Sequence, residues 1–175
     1  SEGKDINSFE YEILIDGKQP VGDNGVSWNN TFTGTSVTDL LNRTYTFAAS
    51  HVDSDVSVVI RGTGAFEGIE YVLSGTKVSA KDISDYTMEL KVNKSVDYDG
   101  KAKNFTTKDI DIHGELITSG EITKEDFVLS YEGDIVNASE GKAADKQPVL
   151  VAKINKAGYK GELKTSFTIW KRVVT

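Results

Sequence analysis

The sequence predicts an all-β protein of two sandwich-like modules in tandem, and three observations lead there. Apolar residues recur with period two rather than 3.6, turn signals built on Gly, Asp and Asn separate the runs, and one strand, glycine turn, strand pattern occurs twice. At 175 residues the chain accommodates one large β domain or two of about 90 residues, and the internal repeat decides for two.

In chain order, the period-two runs are FEYEILI from Phe9, YTFAAS from Tyr45, VSVVI from Val56, YVLSG from Tyr71, TMELKV from Thr87, FVLSY from Phe127, VLVAKI from Val149 and SFTIW from Ser166. Each reads as a half-buried strand, because alternate side chains of a strand point to opposite faces. Turns are expected at Asp16-Gly17, Asp23-Asn24-Gly25, Gly62-Thr63-Gly64, Tyr98-Asp99-Gly100, Glu132-Gly133-Asp134 and Ala157-Gly158. Two short stretches have helical character: Thr38 to Asn42, and Thr123 to Phe127 with Thr123 as cap and Asp126 three positions on.

The repeat aligns Phe66-Glu67-Gly68 with Tyr159-Lys160-Gly161, and Thr44-Tyr45-Thr46-Phe47 with Asp126-Phe127-Val128-Leu129. The second copy then carries extra length in the polar stretch from Asn137 to Gln147. Glycine supplies the positive φ of the tight turns, and the aromatic closes over the end of the core. The apolar pattern pauses at KDISDYT, which places the modules at 1–86 and 87–175.

Composition removes several functions. Without cysteine there is no disulfide, no thiol catalysis and no cysteine-ligated metal. A net charge of −7 disfavours nucleic acid and anionic membrane as partners. No stretch approaches the roughly 20 apolar residues of a membrane span. The opening SEGKDINSFE has no apolar signal core, as expected of a processed part of something longer.

The second half carries an ordered set of short elements: Tyr98-Asp99-Gly100-Lys101, then Glu125 to Tyr131 (EDFVLSY), a polar loop over Asn137 to Lys142, Gly158-Tyr159-Lys160-Gly161 and Ser166-Phe167-Thr168-Ile169. It resembles the tandem Ig-like repeats of bacterial surface proteins related to those named for a Tyr-Asp-Gly motif, over about residues 88 to 171. The first half matches that pattern only at Tyr45 to Ala48 and Gly62 to Gly68. The resemblance implies two Ig-like β-sandwich modules, with a β-grasp-like module as the alternative. It also implies secretion, association with the cell wall, a role as spacer or adhesion segment, and no catalytic residue.

Candidate sites are few. Gly62, Gly64 and Gly68 are not spaced as a dinucleotide fingerprint and enter a strand pattern, so they read as turn glycines. His51 and His113 fall in different modules and leave a three-histidine zinc site without its third ligand. No nucleophile motif occurs, and the chain is read as not an enzyme. No cofactor is expected; a structural calcium ion at Asp53 and Asp55, or at Asp97 and Asp99, fits no EF-hand spacing.

For carbohydrate, the candidates are Trp28 with Asn29 and Asn30, and Trp170. Trp28 shares parity with Val26 and Phe32, which turns it toward the core; Trp170 lies opposite in parity to Phe167 and Ile169, which turns it outward. The leading expectation is therefore a non-catalytic spacer or adhesion segment packed against neighbouring domains of its own chain. The alternatives are a carbohydrate-binding or host-adhesion module with its ligand surface on the first domain, whose partner is a glycan or host surface protein, and a phage or surface-layer assembly component. A spacer exposes aromatics only at junctions, a sugar binder clusters them on one face, and an assembly subunit exposes a self-complementary strand edge or apolar patch.

Overall fold

The computed structural model describes residues 9–34, 45–91 and 95–172. The expected helical turn over 38–42 lies outside the described residues, as does Thr44. Strands dominate, arranged in several sheets, and the chain is all-β. It divides into two compact units, Ser1–Ala80 and Lys81–Thr175. No described helix is long and apolar enough to cross a membrane.

In the first unit the described residues form one antiparallel sheet in the order β2-β1-β3-β4, from β1 (Phe9–Ile15), β2 (Thr31–Gly34), β3 (Asp55–Gly62) and β4 (Glu70–Lys77). The register of Tyr11 on Ile60 and Ile13 on Val58 gathers the apolar alternates of β1 and β3 on one face. The opposite face carries Glu12, Arg61 and Glu70, with Arg61 bonded to Glu12 at 2.6 Å and 3.4 Å from Glu70. Between β3 and β4 a 3-10 turn over Gly64–Phe66 brings the Phe66 ring onto Phe9, stacked at 5.0 Å.

The run Tyr45 to Ser50, expected as a strand, is irregular and ends in a 3-10 turn over Ala49–His51. Its rings pack on Trp28 and Phe32 rather than joining a ladder. The repeat alignment of Tyr45 with Phe127 therefore joins unlike structures: β9 (Phe127–Glu132) pairs with β10 (Val149–Ile154), whereas the partners of β3 are β1 and β4.

In the second unit two sets of paired strands contribute to one buried cluster. One is the antiparallel sheet β12-β10-β9, with β12 spanning Glu162–Ser166. The other includes the ladder of β6 (Thr87–Leu90) with β8 (Ile110–His113). Met88, Leu90, Ile110 and Ile112 from this ladder share a buried cluster with Leu150, Ala152, Ile154 and Leu163 from the sheet. A five-residue helix, α1 (Glu115–Ser119), follows β8, and the expected turn at Thr123 is a 3-10 turn over Lys124–Asp126 in which Thr123 and Asp126 cap reciprocally.

Two short parallel ladders tie the start of this unit to its end. β5 (Lys81–Asp82) pairs with β11 (Tyr159–Lys160), and β7 (Ser95–Asp97) with β13 (Thr168–Trp170). Lys81 to Tyr86, read from sequence as the end of the first module, belong to the second: β5 is bonded there and Ile83 is fully buried in its core.

Candidate functional site

Trp28 lies in an aromatic corner of the first unit rather than on an open face. Its ring meets Tyr45 at 5.4 Å and the edge of His51 at 5.1 Å, and Phe47 packs on Tyr45 at 5.2 Å. Trp28 is half-buried, yet Val26, of the same parity, is 59% exposed, because residues 26–30 are not a regular strand and alternation does not apply to them.

His51 fastens this corner. The Ala48 N–H donates to Nδ1 at 3.1 Å, so the ring proton sits on Nε2, which donates to the Val21 carbonyl at 2.7 Å. With both nitrogens committed and the ring buried, His51 is a strut between two backbone segments. Burial also raises the Tyr45 hydroxyl above its ordinary pKa.

Asn30, proposed as a sugar hydrogen-bonder beside Trp28, is only 4% exposed and donates through Nδ2 to the Ile13 carbonyl at 2.8 Å, so its amide secures β1 instead of facing a ligand. Asn29 is exposed, and its Oδ1 accepts from the Thr31 N–H at 3.4 Å. The pair is thus split, one residue inside and one outside.

Each aspartate pair weighed for calcium already faces an ammonium. Lys77 Nζ stands 2.9 Å from Asp55 Oδ1 and 3.4 Å from the Asp53 carbonyl, and the bond to Asp55 raises the lysine pKa. Lys103 Nζ is 2.8 Å from Asp99 Oδ1 and 2.6 Å from the Asp97 carbonyl, and it lowers the Asp99 pKa. A second cation at either place would meet a positive charge at contact distance. Among the described residues no group of three His, Asp or Glu is placed to hold a metal ion. His113 is exposed and pairs with Glu89 at 3.0 Å.

The motif residues of the second half are fasteners. Tyr98 of the Tyr-Asp-Gly-Lys turn donates its N–H to the Trp170 carbonyl at 2.8 Å, extending the β7–β13 ladder, while Gly100 takes φ 75°. On its other side β13 is held by the polar loop: Ser139 N–H donates to the Ile169 carbonyl at 2.8 Å, and Ser139 Oγ accepts from the Ile169 N–H at 2.9 Å. Phe105, Tyr131 and Phe167 form an aromatic cluster, with the Tyr131 hydroxyl accepting from the Phe105 N–H at 2.6 Å. Trp170 itself is 42% exposed, on the outward side that parity expects.

Asp134 closes the loop that follows β9. Its carboxylate accepts from the backbone and side-chain N–H groups of Asn137 and from the Val136 N–H, which hold its pKa at about 2, below the ordinary 3.8. A depressed folded-state pKa means that this stabilisation is complete above the ordinary carboxylate range and is lost as the pH falls through about 2. An NMR titration of Asp134 is expected to give a midpoint near 2; a midpoint at the ordinary value would contradict the turn.

Open depressions occur among the described residues. One, of about 590 Å³, has Asp16, Asp55, Ser57 and Ser74 among its lining. Another, of about 420 Å³, has Ser84, Thr87, Glu162 and Lys164 around Tyr86 and Met88. Neither contains a histidine. The feature that sequence reasoning missed is the outer strand β4, whose Tyr71, Val72 and Leu73 stand exposed beside Ile69. The signal was present in the period-two run YVLSG, but alternation alone does not tell an edge strand from an inner one.

Compared with known proteins, no family model, no curated sequence and no solved structure matches this chain.

Proposed function

We propose that the chain is a non-catalytic spacer or adhesion segment of a secreted, cell-wall-associated bacterial protein, in which two Ig-like modules in series hold a functional part away from the envelope. The observation that carries this reading is the pairing of early with late strands in Lys81–Thr175, where β5 and β7 run parallel to β11 and β13. Tension applied at the two ends of such a unit loads the bonds of each ladder together, in shear. An antiparallel hairpin pulled at its open end surrenders its bonds one by one instead. A stalk under load benefits from the first geometry.

The buried cluster shared by the β12-β10-β9 sheet and the β6–β8 ladder supports the sandwich form for the second unit. Asn30, His51, Asp134 and Ser139 bond to backbone segments and loops, which suits a spacer. A sugar-binding face on the first module has less support, because Asn30 is buried and Trp28 is engaged by Tyr45 and His51.

Stretching the chain by its termini in a single-molecule force experiment tests the reading. The expected trace has one unfolding event for each unit, with Lys81–Thr175 yielding at the higher force. If that unit yields at a force no greater than Ser1–Ala80, the load-bearing role fails.

A further inference from the structure

We propose that β4 is a docking edge for a second copy of this chain, joined antiparallel to its own β4 so that two four-stranded sheets become one of eight. This goes beyond the spacer reading and does not depend on it. Among the described residues β4 is the last strand of its sheet, with β3 on one side only. Gly62 N–H donates to the Ile69 carbonyl, and Val78 N–H to the Ser54 carbonyl. Ladder alternation then turns the N–H and C=O groups of Glu70, Val72 and Lys77 outward, where they are available to another strand. Tyr71 is 62% exposed, Val72 52% and Leu73 45%, and between Tyr71 and Thr76 the edge carries no charge or proline of the kind that normally discourages pairing.

Charge and register favour a second copy as the occupant. In an uninterrupted strand Glu70 and Lys77, seven positions apart, would point to opposite faces. The pairing with β3 is interrupted between Val56 and Val58, where Ser74 and Gly75 form a bulge with Gly75 at φ 98°. The bulge resets the alternation: Glu70 lies opposite Arg61 and Lys77 opposite Asp55, which share a face of β3. Glu70 and Lys77 therefore share a face of β4.

A two-fold axis between Leu73 and Ser74 then sets Glu70 against the second copy's Lys77, and Lys77 against its Glu70, with side chains on matching faces. Tyr71 meets Thr76 in the same way. Without the bulge this register would place the paired side chains on opposite faces. The contact is isologous, as closed dimers require, and its ends are opposite charges.

Sedimentation velocity on the full chain, from about 1 µM to about 1 mM, tests the proposal, since an interface this small associates weakly. A monomer–dimer equilibrium is expected. Val72→Pro, which removes an outward N–H and spares the ladder to β3, should abolish it. Glu70→Lys should weaken it about tenfold by facing like charges, and Glu70→Lys combined with Lys77→Glu should restore it. Circular dichroism and melting of each variant establish that it folds. A chain that stays monomeric throughout overturns the proposal. So does a dimer indifferent to Val72→Pro in the folded state, or a double variant that fails to recover.

Discussion

Gly161→Ala is expected to destabilise the second unit by about 2–4 kcal/mol, among the larger effects of a single methyl group. Gly161 has φ 117°, a backbone conformation that side chains rarely adopt. A Cβ there would stand 2.9 Å from Asp82 Oδ1, 3.0 Å from Ser84 N and 3.3 Å from Ile83 Cδ1. Two of those atoms are bonded to each other, Asp82 Oδ1 accepting from the Ser84 N–H at 2.9 Å, and the backbone between them is fixed by the Ile83 N–H, which donates to the Lys160 carbonyl at 3.0 Å. Relief therefore requires β5 to move off β11. Urea unfolding monitored by signals of the second unit measures the effect, and a loss under about 0.5 kcal/mol would mean that this close approach is absent.

His51→Phe is expected to cost the first unit about 2–4 kcal/mol, because it keeps a ring of similar shape and removes both of its hydrogen bonds. The Ala48 N–H and the Val21 carbonyl lose partners in a place where the side chain is buried. His113→Phe is the control. That ring is exposed and pairs with the exposed Glu89, so the change should stay within about 0.5 kcal/mol. Thermal or urea melts of the two variants compare them directly, and equal effects would remove the strut role from His51.

The strands that the sequence makes plain are those in which β-branched residues alternate and a long ladder supports them. β1 spans the whole FEYEILI run, β10 the whole VLVAKI run, and VSVVI falls within β3. Alternation fails where rings compete with a ladder. Tyr45 and Phe47 have strand-like parity, but their rings pack on Trp28 and His51 and partly bury there without pairing.

The pairing of β5 with β11 and of β7 with β13 leaves no trace in the pattern, being two or three residues long with partners far away in sequence, although β13 itself lies in the SFTIW run. The chain divides after Ala80 rather than after residue 86 for the same reason. Ile83 sits in a polar stretch that reads as a pause, and its burial depends on neighbours that pattern reasoning does not supply.

For the candidate site, parity placed Trp170 correctly because β13 is a true strand. It failed at Val26, which shares the parity of Trp28 and is exposed, whereas Asn30, of that parity too, is buried. The polar loop after Asn137 reads as surplus length, yet it flanks β13 through Ser139. A serine whose hydroxyl serves one backbone amide carries no signature in sequence.

The most direct test of the spacer account is a glycan-array screen of the whole chain, with Trp28→Ala and Trp170→Ala alongside and folding verified for each. The account predicts no specific binding by any of them and a loss of stability confined to Trp28→Ala, whose ring is packed in the aromatic corner. Specific glycan binding that disappears in a folded Trp170→Ala or Trp28→Ala variant would contradict it and assign that face to ligand recognition.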